Sequence, residues 1–160
     1  MDKNLNKILF LILLILSISI FSAYFIEYVL GHKPCKLCIY QRYPYFISIF
    51  LILNILIFKK YIKLSLLGLM LVSLLGSVIA FYHVGIEQGF IDESVVCNVK
   101  NFDQNLTKDE LFKALGENTI SCKTVTFRVF GLSLATINTI FSLFLFGIFF
   151  RLFKNYENYK

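Results

Sequence analysis

Four long stretches without a charged residue dominate this sequence of 160 residues. They cover residues 8–26, 43–58, 64–82 and 129–150. A helix needs about 20 mainly apolar residues to cross roughly 30 Å of hydrocarbon, and each stretch approaches or exceeds that length. The stretches are continuously apolar rather than alternating, which argues against the strands of a membrane barrel. We therefore predict an all-α membrane protein, a single domain built as a four-transmembrane-helix bundle. The predicted spans are about residues 8–30, 39–58, 64–82 and 129–150.

The first stretch has a second interpretation, a secretory signal peptide. Lys3 and Lys7 precede it, and Phe21-Ser22-Ala23 resembles a cleavage region. The apolar core of a signal peptide is only about 7–15 residues long, however, and residues 8–26 form a longer run. Three further spans also follow. We therefore predict a retained transmembrane helix.

Basic residues are concentrated in three short segments outside the spans. Residues 1–7, 59–63 and 151–160 together carry eight Lys or Arg and two acids, which accounts for the whole net charge of +6. Positively charged short loops and tails stay in the cytoplasm, so both termini are predicted there. In a bacterial cell the chain would then lie in the inner membrane, with outer loops of about residues 31–38 and 83–128 in the periplasm. This asymmetry explains the basic balance without nucleic acid as a partner.

All four cysteines fall in the two predicted outer loops. Disulfides persist in such an oxidising compartment, and an even number of cysteines there predicts two of them. Cys35 and Cys38 are separated by two residues, the spacing typical of a catalytic redox pair rather than a structural bridge. The sequence thus predicts a thiol–disulfide centre at the outer start of the second span.

Cys38 and Arg42 lie where that span begins. Pro34 disfavours helix before it, so Cys38 is expected near a helix N-terminus, where free N–H groups favour a thiolate. Arg42 follows four residues later on the same helix face and adds a permanent positive charge. An ionisable residue at membrane depth is costly, which makes Arg42 a candidate functional residue. Snorkelling toward the lipid head groups is the plainer alternative.

Cys97 and Cys122 lie in the long third connection, and two interpretations stay open. A structural disulfide that closes this loop would contribute about 3 kcal/mol. A mobile disulfide would instead exchange electrons with the first pair by thiolate attack. Within the loop, Thr107-Lys108-Asp109-Glu110 fits a capping box and predicts a short amphipathic helix on the bilayer surface. A zinc site is not expected, because such sites usually combine two close ligand pairs.

Two exchange pairs on one side of a membrane suggest a relay. A relay that ends at the membrane boundary needs a lipid-soluble acceptor of two electrons, and a quinone is the obvious one. The sequence contains neither a flavin fingerprint nor a haem ligand pair that would offer another acceptor.

The segment from Pro34 to Arg42, PCKLCIYQR, resembles the disulfide bond formation protein B (DsbB) family. That family carries C-x-L-C-x-x-x-R at the outer start of its second helix. The resemblance covers nearly the whole chain: four spans, both termini inside, CxxC in the first outer loop and a cysteine pair in the second. Gln41 departs from the acid that precedes the arginine in the best-known members, which puts a carboxylate role at this position in doubt.

The resemblance implies the fold of a four-helix membrane bundle and a specific activity. Cys97 and Cys122 would oxidise a periplasmic DsbA-like protein of the thioredoxin fold, with Cys97 forming the mixed disulfide. The electrons would pass to Cys35 and Cys38 and from Cys38 to quinone, either ubiquinone or menaquinone. Arg42 would hold the quinone.

His83, at the end of the third span, is by the same resemblance a candidate quinone neighbour. Without the resemblance His83 would be an ordinary hydrogen-bonding histidine at the interface. Glu27, near the outer end of the first span, is expected to be a solvated charge at the interface. Two rival functions also remain. One is a quinol-driven reductase of outer disulfides, and the other is a non-enzymatic membrane protein with two structural disulfides.

Overall fold

The computed structural model describes residues 3–59, 61–92, 121–123, 128–129 and 131–158. In this part of the chain the elements, in order, are α1 (Lys3–Tyr28), α2 (Lys36–Tyr40), α3 (Tyr43–Phe58), α4 (Ile62–Glu87), β1 (Arg128–Val129), β2 (Leu132–Ser133) and α5 (Leu134–Asn158). Four segments are long and apolar enough to cross a membrane, with α2 and α3 together forming the second. The predicted all-α bundle of four spans is thus confirmed. Cys97 and the predicted amphipathic helix after Thr107 lie outside the described residues.

The second span is broken near its start, which the sequence prediction of one continuous helix from residue 39 missed. Pro44 is in the first turn of α3 and has no N–H to donate to the carbonyl four residues earlier. The chain therefore makes a turn at Gln41 and Arg42, where the Arg42 N–H donates to the Ile39 carbonyl at 3.0 Å. This turn is why the Gln41 side chain is buried between helices rather than facing lipid.

The boundaries of the last two spans also differ from the prediction. Helix α4 continues to Glu87 instead of ending at residue 82, because Val84, Gly85 and Ile86 extend its apolar character past His83. Helix α5 begins at Leu134 rather than near residue 129. The preceding residues form a minimal antiparallel pair, β1 with β2, which turns at Gly131 with a φ of 84°.

Apolar side chains from all four spans form the core. Helix α4 packs against α3 and α5, and α1 packs against α3. The buried members are Leu9, Ile12, Leu16, Ile52, Ile55, Ile62, Leu66, Leu69, Leu145 and Phe149. Many large apolar side chains face outward, such as Phe21 at 71% exposure and Phe144 at 65%. In water such a surface would be unfavourable, and in a bilayer it is the surface that contacts lipid.

Small residues on α4 allow its neighbours to approach closely. Ser73, Gly76, Ser77 and Ala80 are buried on this helix, the residue types that bring membrane helices together. A Cβ at Gly76 would lie 3.3 Å from Cβ of Pro44. Close packing of α4 against the start of α3 thereby holds the turn at Gln41 beside the end of α4, where the cysteines lie.

Candidate functional site

Cys35 and Cys38 flank the start of the short helix α2. Cys35 is its N-cap residue, and its Sγ accepts a hydrogen bond from the Cys38 backbone N–H at 3.3 Å. The two sulfur atoms are 3.0 Å apart and both residues are free thiols. A disulfide needs an S–S distance of about 2.05 Å, so a shift of roughly 1 Å would close this pair. The predicted CxxC pair is therefore assembled at the start of α2.

The stabilised thiolate is Cys35, not Cys38 as the helix N-terminus argument predicted. Hydrogen bonding from Cys38 lowers the pKa of the Cys35 thiol from 9.0 to about 4, against the opposing effect of burial, and His83 assists. The N-cap position of Cys35 accounts for this direction, because an N-cap side chain receives the free N–H groups of a first turn. Cys38 lies inside that turn and is a donor to the cap.

Cys122 lies beside this pair. It is disulfide-bonded and only 2% exposed. Its sulfur, the Cys35 sulfur and a ring nitrogen of His83 all lie within 4.8 Å of one another. Leu37 and Ile86 close the cluster with apolar contacts. The structure thus brings the second loop's cysteine to the first loop's pair, whereas Cys97 lies outside the described residues.

Cys35, His83 and Cys122 are also a set of residue types that could hold a metal ion. The sulfur of Cys122 is already bonded to another sulfur, however, which leaves it without the thiolate that zinc requires. A thiol next to a disulfide is instead the arrangement that exchange needs. The expectation that no metal is bound stays a prediction.

Arg42 is paired with Glu27 of α1. Its Nη1 is 2.6 Å from Glu27 Oε2, and the two side chains are 15% and 21% exposed. Its guanidinium carbon also lies 4.8 Å from the ring centre of Tyr24, a cation–π distance. Glu27 is thus a specific partner rather than a solvated charge, and Arg42 is held at the bundle rather than extended toward head groups.

His83 is buried on α4, at 2% exposure. Its Nε2 lies 3.5 Å from Cys35 Sγ, and its Nδ1 lies 3.0 Å from Gln41 Nε2. The Glu87 carboxylate, one helical turn further on, is 3.8 Å from the same Nε2. The structure therefore places His83 against the thiol pair.

Gln41, Asn138 and Tyr45 are polar residues that sequence reasoning missed or treated only as a departure from a motif. Asn138 Nδ2 donates to Gln41 Oε1 at 2.7 Å, and the Tyr45 hydroxyl donates to Asn138 Oδ1. An amide side chain within an apolar span is costly unless it is satisfied. That signal at Asn138, inside the fourth uncharged stretch, could have indicated this network.

A cavity of about 320 Å³ opens beside Cys38 between α1, the α2–α3 turn and α5. Its described lining residues are Ser19, Ile20, Ser22, Ala23, Ile26, His32, Lys33, Pro34, Cys38, Gln41, Arg42, Tyr45, Leu134, Ile137, Asn138 and Phe141. Cys38 and Arg42 thus share the cavity, as their spacing predicted. His83 and Cys35 are not among the lining residues and contact each other instead.

Comparison with known proteins agrees with this architecture. Residues 5–152 match the family described as disulfide bond formation protein DsbB. An uncharacterized protein, RP370, of Rickettsia prowazekii (strain Madrid E) is 29% identical over 144 residues, which are 88% of this chain and 84% of that protein. The SPbeta prophage-derived disulfide bond formation protein B of Bacillus subtilis (strain 168) is 37% identical over 101 residues, 62% of this chain and 66% of that protein.

No solved structure matches the chain significantly. The family match covers the first three membrane spans and nearly all of the fourth, together with Cys35, Cys38 and Cys122. A thiol pair beside a disulfide is the arrangement that thiol–disulfide exchange requires. The chain is therefore a member of the DsbB family of disulfide bond formation proteins.

Proposed function

We propose that this protein is a thiol oxidase of the bacterial inner membrane that reoxidises a periplasmic DsbA-like thioredoxin-fold protein and passes the electrons to membrane quinone. The position of Cys35 carries the proposal. Its sulfur lies within 4.8 Å of the Cys122 sulfur and 3.0 Å from the Cys38 sulfur. Cys35 can therefore exchange with the loop disulfide on one side and with Cys38, at the cavity, on the other.

Electrons enter at the loop disulfide. A thiolate of the partner attacks one sulfur of that disulfide, for which the resemblance favours Cys97, and forms a mixed disulfide. The partner's second thiol then displaces that sulfur. The partner leaves with a disulfide, and its two electrons and two protons remain on Cys97 and Cys122 as thiols.

Transfer between the pairs proceeds through Cys35. The Cys122 thiolate attacks Cys35 of the Cys35–Cys38 disulfide, so a Cys122–Cys35 bond forms and Cys38 leaves as a thiolate. Cys97 then attacks Cys122, which restores the loop disulfide and releases Cys35 as a thiolate. The Cys35 sulfur lies within 4.8 Å of the Cys122 sulfur, which is the proximity that this attack requires and which supports the proposal.

The cavity beside Cys38 supports quinone as the proposed acceptor. Its volume of about 320 Å³ falls within the roughly 300–1,000 Å³ of typical ligand pockets. Ile26 and Phe141 provide apolar walls for a ring, and Arg42 and Asn138 provide N–H donors for carbonyl oxygens. Quinone, when bound, supplies an acceptor for two electrons and two protons. Cys35 then closes on Cys38 to restore their disulfide.

The charge distribution supports the proposed orientation. The start of α1, the connection between α3 and α4, and the end of α5 lie at the end of the bundle opposite the cysteines. These are the segments that hold the net charge of +6. Under the positive-inside rule that end is cytoplasmic, so the thiol pair faces the periplasm, where DsbA-like proteins and their substrates are found.

The test is a quinone reduction assay with the purified protein in detergent, reduced DsbA-like partner and either a ubiquinone or a menaquinone analogue. We expect Cys35→Ser, Cys38→Ser and Cys122→Ser each to abolish quinone reduction. Lys36→Ser, at the exposed position between the two thiols, is the matched control and should retain the parent rate.

Parent-like turnover by Cys35→Ser or Cys38→Ser would refute the relay. Turnover only in the opposite direction, from quinol to an oxidised partner, would establish the reductase instead. Resistance of both pairs to mild reductant in the parent, together with no turnover in either direction, would establish structural disulfides.

A further inference from the structure

A directed series of hydrogen bonds runs from Tyr45 on helix α3, through Asn138 on helix α5, to the sulfur of Cys35. The Tyr45 hydroxyl donates to Asn138 Oδ1, and Asn138 Nδ2 donates to Gln41 Oε1 at 2.7 Å. Gln41 Nε2 lies 3.0 Å from His83 Nδ1, and His83 Nε2 lies 3.5 Å from Cys35 Sγ. Gln41 and His83, the central members, are 7% and 2% exposed, so water does not compete for their hydrogen bonds.

The hydrogen bonds of this series all run in one donor-to-acceptor direction. In a primary amide the oxygen only accepts and the nitrogen only donates. Asn138 donates to the Gln41 oxygen, so the Gln41 amide nitrogen faces His83 as a donor. A neutral imidazole has one N–H and one acceptor nitrogen. Because Nδ1 must accept from Gln41, the ring proton is on Nε2.

The surroundings of Nε2 independently favour the same tautomer. Two acceptors face this nitrogen, Cys35 Sγ at 3.5 Å and Glu87 Oε1 at 3.8 Å. The Ser133 hydroxyl donates to the other carboxylate oxygen of Glu87, which fixes the carboxylate in that orientation. Among the described residues, Cys35 and Glu87 are the titratable groups recorded against His83, one from the N-cap of α2 and one from α4 itself.

We propose that Gln41 is a positioning residue that holds His83 in the Nε2–H tautomer, so that His83 donates a hydrogen bond to the sulfur of Cys35. Gln41 thereby acts on the exchange side of the thiol pair as well as lining the cavity. A side chain at position 41 that only accepts hydrogen bonds would instead favour the His83 tautomer with its proton on Nδ1. The importance of this arrangement for turnover rests on the proposed function, whereas the tautomer itself does not.

The tautomer can be read by ¹⁵N NMR of the reduced protein, because the two ring nitrogens have different shifts in the two tautomers. The chain contains two histidines. A His32→Gln background therefore leaves His83 as the single labelled residue. We expect a protonated Nε2 and an unprotonated Nδ1 in this background. A protonated Nδ1 would overturn the proposal without any variant at Gln41.

Gln41→Glu provides the decisive change, since a carboxylate of the same size only accepts. We expect it to shift the signals to a protonated Nδ1. Gln88→Glu, the same substitution at an exposed site directly after α4, is the matched control and should leave the spectrum unchanged. An unchanged tautomer in Gln41→Glu would overturn the proposal.

A second measurement follows the effect on Cys35. Gln41→Leu removes the donor and frees His83 to adopt either tautomer. Trypsin cleaves after Lys36, so alkylation of Cys35 and of Cys38 can be measured on separate peptides. Labelling is followed as a pH profile, and we expect Gln41→Leu to move the midpoint for Cys35 to a proton concentration about threefold or more lower than in the parent, since alkylation follows the thiolate. An unchanged midpoint would refute the link from Gln41 to Cys35. Neither measurement uses quinone or a partner, so failure here is distinct from failure of the proposed oxidase.

Discussion

Removal of the Cys38 thiol should have a large and calculable effect on the reactivity of Cys35. The pKa of Cys35 is lowered from 9.0 to about 4, and hydrogen bonding from Cys38 is the largest cause. At about pH 6 a thiol with that lowered pKa is almost entirely thiolate, whereas of thiols with a pKa of 9.0 only about one in a thousand is ionised at that pH. In Cys38→Ala the side-chain donor is lost while burial still opposes ionisation. His83 still stabilises the Cys35 thiolate in this variant. We therefore expect alkylation of Cys35 at about pH 6 to fall by roughly 100-fold, less than the roughly thousandfold difference in thiolate fraction.

Cys38→Ser is the matched control for this prediction, because a hydroxyl also donates a hydrogen bond to the Cys35 sulfur. It should retain most of the reactivity that Cys38→Ala loses. The assay is the rate of alkylation of Cys35, measured by mass spectrometry between about pH 4 and 9. The sign is fixed by the lowered pKa: the thiolate is present over this range in the parent and disappears only as the pH falls through about 4. Equal rates for Cys38→Ala and the parent at about pH 6 would refute the argument that Cys38 stabilises the Cys35 thiolate.

Two further predictions concern stability. Glu27→Gln leaves the guanidinium of Arg42, whose side chain is 15% exposed, without its carboxylate partner. We expect the free energy of unfolding in detergent, measured by thermal unfolding, to fall by about 1–3 kcal/mol and to recover in part when Arg42→Gln is added. A double variant less stable than either single variant would contradict this pairing. Gly76→Leu should destabilise by about 1–3 kcal/mol, because a Cβ there already lies 3.3 Å from Pro44. Gly147→Leu is its control, since no atom lies within 4 Å of a Cβ there, and equal stability of the two variants would refute the close contact of α3 with α4.

The position of Cys35 also separates two environments that the proposed relay must keep apart. On one side it faces Cys122 and His83 in a small buried cluster. On the other side Cys38 borders the cavity together with Arg42. Two adjacent sulfurs, 3.0 Å apart, connect the buried cluster with the cavity.

The amino-acid sequence by itself determined the class of protein and indicated where a thiol pair would lie. Uncharged apolar stretches of this length are accommodated by crossing a bilayer as helices, so the four spans followed from length and hydropathy alone. The spacing of Cys35 and Cys38 indicated a redox pair, and the spacing of Cys38 and Arg42 placed both on one helix face. Both side chains line the cavity. These features are local, because each depends on residues within one stretch or one turn.

Only the tertiary structure decided which groups act on which. Pro44 broke the second span and turned Gln41 inward, and the packing of α4 brought His83 to Cys35. Glu27 met Arg42 from another helix, fifteen positions away in sequence. No periodicity or motif encodes such pairings, because they depend on how helices approach and rotate against one another. The Cys35–Cys38 pair could thus be located from the sequence, whereas the identity of its thiolate required the geometry of the N-cap and the buried histidine.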